Sequence, residues 1–283
     1  MKVVIFCGGL GLRLREYSDN VPKPLVPIGD NPIIWHLMKY YSHYGHRDFV
    51  LCLGHKGESI KKFFLGYNEA FSSDFVMSDG GRNLQLLSTD FSKWRITFAD
   101  TGSQSQIGER LWAVRDHLKD EDVFLANYVD GLSDLNLNQV INTFRRSGKI
   151  ACFLSVPPTQ SFHLVETEGS LVTRIRHAET SNTWINGGYF IFSNKIFDFM
   201  RQGEDLVNEP FQRLIDAGQL ITVKHDGFWR CMDTFKERQQ LEDLWSSGNA
   251  PWQIWSKRNL SDSDAETRLN NRESKAVGAV ATF

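Results

Sequence analysis

The sequence has few cysteines, few prolines and no long apolar run. Its 283 residues include four cysteines and eight prolines. The cysteines are far apart and form no C-x-x-C pair, which argues against a zinc site or a redox motif and is typical of free thiols in a reducing cytoplasm. They are Cys7, Cys52, Cys152 and Cys231. No apolar stretch approaches the ~18 residues that span a bilayer, so we expect no membrane helix.

The charges nearly cancel, with 32 basic and 34 acidic side chains and a net charge of −2. This balance gives no electrostatic reason to expect nucleic acid or an anionic membrane surface as a partner. The N-terminus has one lysine, a short apolar run and then glycines, without a small-residue cleavage site. Such a start predicts a β-strand and not a signal peptide, so we expect a cytoplasmic protein.

Three glycines end the first apolar run, in the stretch "VVIFCGGLGLRLRE" at residues 3–16. A strand that ends in a glycine-rich turn is typical of phosphate binding. The dinucleotide fingerprint G-x-G-x-x-G does not fit, because Leu14 takes the third glycine position and the next strand, "FVLCLGHKGE", lacks the expected acid. A P-loop does not fit either, because no lysine follows at the required spacing. A dinucleotide-dependent oxidoreductase is therefore disfavoured.

Short apolar runs alternate with helical patterns along the chain. The run "KVVIFC" is followed by "NPIIWHLMKYYSHYG", "DFVLCLG" and "GESIKKFFLGYNEAF". This βαβα order predicts an α/β protein with a mostly parallel central sheet flanked by helices.

Two stretches interrupt the alternation. Within residues 71–100, "DFVMSDGGRNLQLLS" and "KWRITFAD" predict strands joined by a glycine-containing turn, which would form a β-hairpin insertion. Residues 160–192 predict a second small strand-rich segment. No Pro- or Ser-rich linker divides the chain, so we expect one domain at residues 1–255. A polar tail at residues 256–283 is expected to be mobile or to order against another subunit.

The glycine turn precedes a cluster of cations that could form a polyphosphate cradle. Backbone N–H groups and cations stabilise phosphate charge without an extended motif. Two prolines flank Lys23 and restrict its backbone, which favours a fixed position over a solvated surface lysine. The predicted cradle consists of Gly8, Gly9, Gly11, Arg13 and Lys23.

Two aspartates follow strand-like runs and are candidate metal ligands. Asp130 comes directly after "VFLANYV" and before Gly131, where it either coordinates Mg²⁺ or forms a turn. Asp233 precedes a helical pattern, so it either caps that helix or supplies a second metal carboxylate. Thr234 and Glu237 have capping-box spacing. The residues alone leave both pairs of alternatives open.

Motifs along most of the chain resemble those of sugar-1-phosphate nucleotidyltransferases. The opening "GGLGLRLRE…PKPLVPIG" carries the first part of the resemblance. Others favour the glucose-1-phosphate cytidylyltransferase branch: "ITFADTG", "GERL", "FLANYVDGLSDL", "INGGYFIF" and "GFWRCMDTFKERQQLEDLWSSGNAPWQIW". The resemblance covers about residues 1–255 and not the tail.

The resemblance implies a Rossmann-like nucleotidyltransferase fold and Mg²⁺-dependent transfer of a nucleotidyl group to a sugar 1-phosphate, with CTP and glucose 1-phosphate favoured. It implies that the glycines approach the nucleotide and that Arg13 and Lys23 hold phosphates. Asp130 and Asp233 would bind Mg²⁺, and Arg110 would lie near the nucleotide. Asn186 and Gly187 would face the sugar. The resemblance also implies a homo-oligomer.

The sequence departs from the family pattern at three places. Leu12 and Val129 replace the usual threonine and glycine of two motifs. The E-K-P motif, which in the family supplies a carboxylate for the sugar hydroxyls and a lysine for the sugar phosphate, is absent. In its place, Arg174, Arg176 and His177 are candidates for the missing charge, although arginine is not geometrically equivalent to lysine. Another sugar, UTP, dTTP or GTP as the nucleotide, and a non-catalytic nucleotide-sugar sensor therefore stay open as alternatives.

Overall fold

A computed structural model describes residues 1–9, 21–87, 89, 91–159, 163–177 and 183–256 of the chain. The strands in these ranges are, in chain order, β1 Val3–Phe6, β2 Pro27–Ile28, β3 Asn31–Pro32, β4 Asp48–Leu53, β5 Phe75–Ser78, β6 Asn83–Leu86, β7 Arg95–Asp100, β8 Val123–Tyr128, β9 Gly131–Ser133, β10 Ala151–Val156, β11 His163–Glu168, β12 Leu171–His177, β13 Ile185–Ser193, β14 Leu220–Lys224 and β15 Trp229–Cys231. The α-helices are α1 Ile33–His43, α2 Gly57–Gly66, α3 Ile107–Ala113, α4 Leu137–Ser147, α5 Glu209–Asp216 and α6 Phe235–Ser246.

Seven strands form one sheet in the order β14-β10-β13-β8-β1-β4-β7. All neighbours run parallel except β13, which is antiparallel to both β10 and β8. The central strands β1 and β4 are nearly continuous apolar runs, since each side of the sheet is covered by a separate buried cluster. The predicted mostly parallel α/β sheet flanked by helices is confirmed.

The insertion contains a β-hairpin, but its two strands are not the predicted pair. Strand β5 pairs antiparallel with β6, and both lie within the first of the two quoted segments. The turn between them contains Gly80 and Gly81, whose φ angles of 61° and 89° favour glycine. The segment "KWRITFAD" instead forms β7, which pairs parallel with β4 at the edge of the central sheet. The glycine turn closes the β5–β6 hairpin before strand β7 begins. A second hairpin, β11–β12, confirms the other strand-rich segment.

The helices begin and end close to where the periodicity predicts. Helix α1 follows Pro32, and α6 begins with a capping box formed by Thr234 and Glu237. Among the described residues, no helix is both long and apolar enough to cross a bilayer.

An aromatic cluster around His36 attaches the segment after α6 to the first helix. His36 is fully buried, and its Nε2 lies 2.9 Å from the carbonyl oxygen of Ile28. Its Nδ1 accepts a hydrogen bond from Trp252 Nε1 at 3.3 Å, which makes Nε2 the protonated ring nitrogen. The rings of Trp245 and Trp255 also pack against the imidazole. Burial lowers the pKa of His36 to about 4, despite backbone hydrogen bonds that favour the charged ring.

This depressed pKa predicts an acid-sensitive stability. Because the unfolded state binds a proton below about pH 6.5 and the folded state does so only near pH 4, the free energy of unfolding should fall by about 2 kcal/mol between pH 7 and pH 4.5 through His36. His36→Gln should be less stable at pH 7 and should lose this part of the pH dependence. Urea unfolding at the two pH values measures it, with His117→Gln on the exposed surface as control. An unchanged slope in His36→Gln would contradict the assignment.

Candidate functional site

Three polar segments come together beyond the carboxyl ends of the central strands. Gly8 follows β1, and Asp130 follows β8 in the turn that leads into β9. Strand β15 pairs with β9, so Cys231 lies opposite Gly131 and brings Asp233 to the same place. The backbone N–H of Met232 also donates to the carbonyl oxygen of Asp130. Ligand sites of open α/β sheets lie at this edge.

Lys23 lies at the centre of this region. It begins a short 3-10 turn, Lys23–Leu25, between two prolines, and Pro22 has the extended angles φ −63° and ψ 148°. Hydrogen bonds from the N–H of Leu25 to the carbonyl of Pro22 and from the N–H of Val26 to that of Lys23 hold the turn. The Lys23 side chain is 13% exposed. The side chain is therefore not a solvated surface lysine, and its rigidity stays a prediction.

The ammonium of Lys23 joins the two candidate metal ligands. Its Nζ donates to Asp130 Oδ2 at 2.6 Å and to Asp233 Oδ1 at 2.5 Å. Desolvation lowers the pKa of Lys23, but the two carboxylates outweigh it and raise the pKa above its ordinary value. The cluster therefore holds one cation and two anions, separated along the chain by 107 and 210 positions.

The carboxylate of Asp233 does not cap α6. Thr234 is the N-cap, and its side-chain oxygen accepts from the N–H of Glu237. Glu237 Oε2 in turn accepts from the backbone N–H groups of Thr234 and Asp233. Because the capping box already satisfies the start of the helix, the Asp233 side chain lies against Lys23. The cap alternative for Asp233 is wrong, and metal binding stays a prediction.

The donor set of this cluster fits magnesium. Mg²⁺ is usually bound by one or two carboxylates together with substrate phosphates and water, not by a complete protein cage. Asp130 and Asp233 supply two carboxylates that meet at a single nitrogen, and each is about a quarter exposed. In the part of the chain that the structure describes, no group of three or more His, Cys, Asp or Glu residues forms a metal cage. Two carboxylates that meet at one point match the partial protein shell that Mg²⁺ usually takes, and magnesium binding stays a prediction.

Arg110 is buried beneath the glycine turn and binds protein carbonyls. It is 2% exposed, and its Nη2 donates to the carbonyl of Gly8 at 2.9 Å. Its Nη1 donates to the oxygens of Leu53, Thr101 and Gly102 at distances between 2.8 and 3.2 Å. A Cβ on Gly8 would lie 2.1 Å from that nitrogen, so this position requires glycine. The structure therefore gives Arg110 a role in positioning the turn, and its predicted proximity to the nucleotide stays a prediction.

The rest of the predicted phosphate cradle is only partly described. A Cβ on Gly9 would meet no atom of the described residues within 4 Å. Gly11 and Arg13 lie outside the described residues.

The predicted sugar-facing residues lie next to the Asp130 turn. Asn186 Oδ1 accepts a hydrogen bond from the backbone N–H of Gly188 at 2.9 Å. The carbonyl of Gly187 accepts from Trp229 Nε1 at 2.9 Å, and it would lie 3.7 Å from a Cβ on Gly131. Strand β13 thus lies beside Gly131, the residue that follows Asp130. That Asn186 and Gly187 face the sugar stays a prediction.

Arg176 and His177 are part of the β11–β12 hairpin and contact its other strand. Arg176 Nη2 forms an ion pair with Glu166 at 2.6 Å. The rings of His177 and His163 lie 4.1 Å apart. Their contact with a sugar phosphate stays a prediction, as does that of Arg174.

Residues 2–238 match the nucleotidyl transferase family. The chain belongs to this family. The probable glucose-1-phosphate cytidylyltransferase of Bacillus subtilis is 36% identical to it over 257 residues, which cover 90% of this chain and 100% of that one. The glucose-1-phosphate cytidylyltransferase of Salmonella typhi is 35% identical with the same coverage. A structure of UDP-glucose pyrophosphorylase with UDP-glucose shares the fold at a TM-score of 0.64 and 13% identity, covering 87% of this chain and 98% of that one.

Proposed function

We propose that this nucleotidyltransferase transfers a cytidylyl group from CTP to glucose 1-phosphate, forming CDP-glucose and pyrophosphate. A phosphate oxygen of the sugar 1-phosphate forms a bond to the α-phosphorus of CTP. The bond from that phosphorus to the bridging oxygen of the β-phosphate breaks, and pyrophosphate leaves. The observation that carries the proposal is the cluster of Lys23, Asp130 and Asp233, in a chain related along its length to glucose-1-phosphate cytidylyltransferases.

The residues of this cluster supply charge and position, and the reaction requires little more. A sugar phosphate is already an anionic nucleophile, so the protein does not need to remove a proton from it. Lys23 is charged, so that it can offset negative charge on the phosphates. Asp130 and Asp233 would hold Mg²⁺, which when bound neutralises and orients the triphosphate.

The proposal is tested by incubating the protein with CTP, Mg²⁺ and glucose 1-phosphate and measuring pyrophosphate release. A panel of UTP, dTTP, GTP and other sugar 1-phosphates runs in parallel. Faster pyrophosphate release with another nucleotide and sugar 1-phosphate would support the nucleotidyl transfer reaction but reject CTP and glucose 1-phosphate as its substrates. Ligand-dependent rises in Tm without pyrophosphate release from any pair would favour a non-catalytic sensor and reject the enzyme.

We further propose that the protein is a homo-oligomer whose contact includes the β5–β6 hairpin. An isolated two-stranded hairpin is only marginally stable in water, and this one exposes large apolar side chains. With the adjacent Phe71 they form a patch whose side chains are 42% to 91% exposed, of the kind that marks contacts between proteins. These side chains are Phe71, Phe75, Val76, Met77, Leu84 and Leu87.

Met77→Glu is expected to dissociate this oligomer, because it places a charge on a side chain that is 63% exposed in the single chain. Sedimentation at micromolar concentration should show a larger species for the unmodified protein and a monomer for the variant. Leu171→Glu, equally exposed on the β11–β12 hairpin, is the control and should leave the mass unchanged. A monomeric unmodified protein would refute the oligomer, and a Leu171→Glu effect alone would move the contact to the other hairpin.

A further inference from the structure

A row of polar residues crosses the carboxyl edge of the sheet on the side of β13. Lys224 is the last residue of β14 and pairs with Ser155 of β10. Ser155 pairs on its other side with Asn186 of β13. Neighbouring strands lie ~4.8 Å apart, so Lys224 and Asn186 are separated by about two such spacings. A lysine side chain is long enough to extend over much of that distance.

The three side chains lie on the same face of the sheet. The hydroxyl oxygens of Ser155 and Thr222 are in direct contact, which places these two residues on one face. Lys224 is two positions after Thr222 and therefore points to that face as well. Asn186 is the direct antiparallel partner of Ser155, and directly opposed residues share a face.

The ammonium of Lys224 packs over an aromatic ring. Its Nζ lies 4.6 Å from the ring centroid of Trp184, two residues before Asn186. Within the described ranges, no ion pair involves Lys224, whereas Lys23 is bound to two carboxylates and Arg176 to Glu166. A cation over an indole ring keeps its charge available to an anion on the opposite side.

The same edge of the sheet carries the reacting centre. Strand β13, which carries Asn186, lies between β10 and β8, and Asp130 follows two residues after Tyr128, the last residue of β8. Gly187 is joined through Trp229 to the strand that brings in Asp233. A ligand beside Asn186 would therefore lie between Lys224 on one side and the Lys23 cluster on the other.

We propose that Lys224 binds the phosphate group of the sugar 1-phosphate. This inference rests on the proposed function, in which a sugar phosphate dianion must approach a triphosphate. Lys23 is already engaged by two carboxylates, so a second cation on the sugar side is needed to offset the approaching charge. Lys224 meets that need with a charge unpaired among the described residues, on the face that carries Asn186.

Lys224→Met tests the proposal, because methionine keeps an apolar chain against Trp184 and removes the charge. We expect the KM for glucose 1-phosphate to rise about 10- to 100-fold, with the KM for CTP and the kcat changed less than about threefold. Lys224→Arg should recover most of the loss, and Tm should not change in either variant. The matched control is Lys195→Met, at an exposed lysine two residues after the opposite end of β13.

An unchanged KM for glucose 1-phosphate in Lys224→Met, or equal rises in both KM values, would overturn the proposal. A large effect in Arg176→Met with none in Lys224→Met would assign the phosphate to the hairpin instead. If the unmodified protein turned over no substrate pair, the proposed function would fail separately. Calorimetric binding of glucose 1-phosphate then decides the role of Lys224: weaker binding by Lys224→Met supports it, and equal or undetectable binding by both proteins rejects it.

Discussion

Asp130→Asn is expected to lower kcat for pyrophosphate release by at least about 10³-fold, with little change in Tm. The substitution keeps the shape of the side chain and removes its charge. Asp130 Oδ2 is one of two carboxylate oxygens bound to Lys23, and a neutral amide is a poor ligand for Mg²⁺. The carboxylate is 26% exposed, so losing one ion pair at a partly solvated position should cost little folding stability.

The measurement is pyrophosphate release at saturating CTP and glucose 1-phosphate, together with thermal unfolding of the same samples. Asp226→Asn is the matched control, since Asp226 is an exposed aspartate in the loop before β15. It should retain full activity. Near-normal turnover by Asp130→Asn would show that this carboxylate has no part in the reaction.

Lys23→Met is expected to have two opposite effects. Turnover should fall by about 10²- to 10³-fold, because the charge that offsets phosphate charge is lost. Binding of Mg²⁺ without nucleotide should become at least about tenfold tighter, because the ammonium no longer competes for Asp130 and Asp233. A purely structural lysine would not produce tighter metal binding and slower catalysis together.

Calorimetric titration of the nucleotide-free protein with Mg²⁺ measures the second effect. Lys23→Arg separates charge from geometry, since a guanidinium keeps the charge but not the compact contact with both oxygens. The double variant Lys23→Met with Asp130→Asn should lose the gain in metal affinity. If Lys23→Met binds Mg²⁺ no more tightly than the unmodified protein, the two aspartates do not form the metal site.

The meeting of the three charged residues of the site could be predicted from local patterns. Residues at the ends of apolar strand runs meet at one edge of a parallel sheet, which is why Lys23, Asp130 and Asp233 could be named before their contacts were known. The sheet itself followed from the alternation of apolar runs and helical patterns, since periodicity depends only on neighbouring residues. The resemblance of the motifs to nucleotidyltransferases added the reaction class, which agrees with the family.

Which residues and strands contact one another depends on the folding together of distant parts of the chain. Strand β7 pairs with β4 and not with the hairpin, through contacts such as that of Asp48 with Arg95, which are far apart in the chain. By its position in the sequence, Asp233 could cap helix α6. In the structure Thr234 is the N-cap and forms a capping box with Glu237. Arg110 is buried because four protein oxygens accept its hydrogen bonds. They belong to three segments that are far apart in the chain, at Gly8, Leu53 and Thr101–Gly102.

Lys224 shows most clearly the difference between what local sequence predicts and what tertiary contacts decide. Nothing around it in the chain suggests a binding residue, because a lysine at the end of a strand is ordinarily a solvated surface charge. Its place beside Ser155 and Asn186 arises from the order of strands in the sheet, which brings together residues about 30 to 70 positions apart. Local sequence determines which elements form and what chemistry they carry. The folded sheet determines which charges meet, because electrostatic and packing energies depend on distance in space and not along the chain.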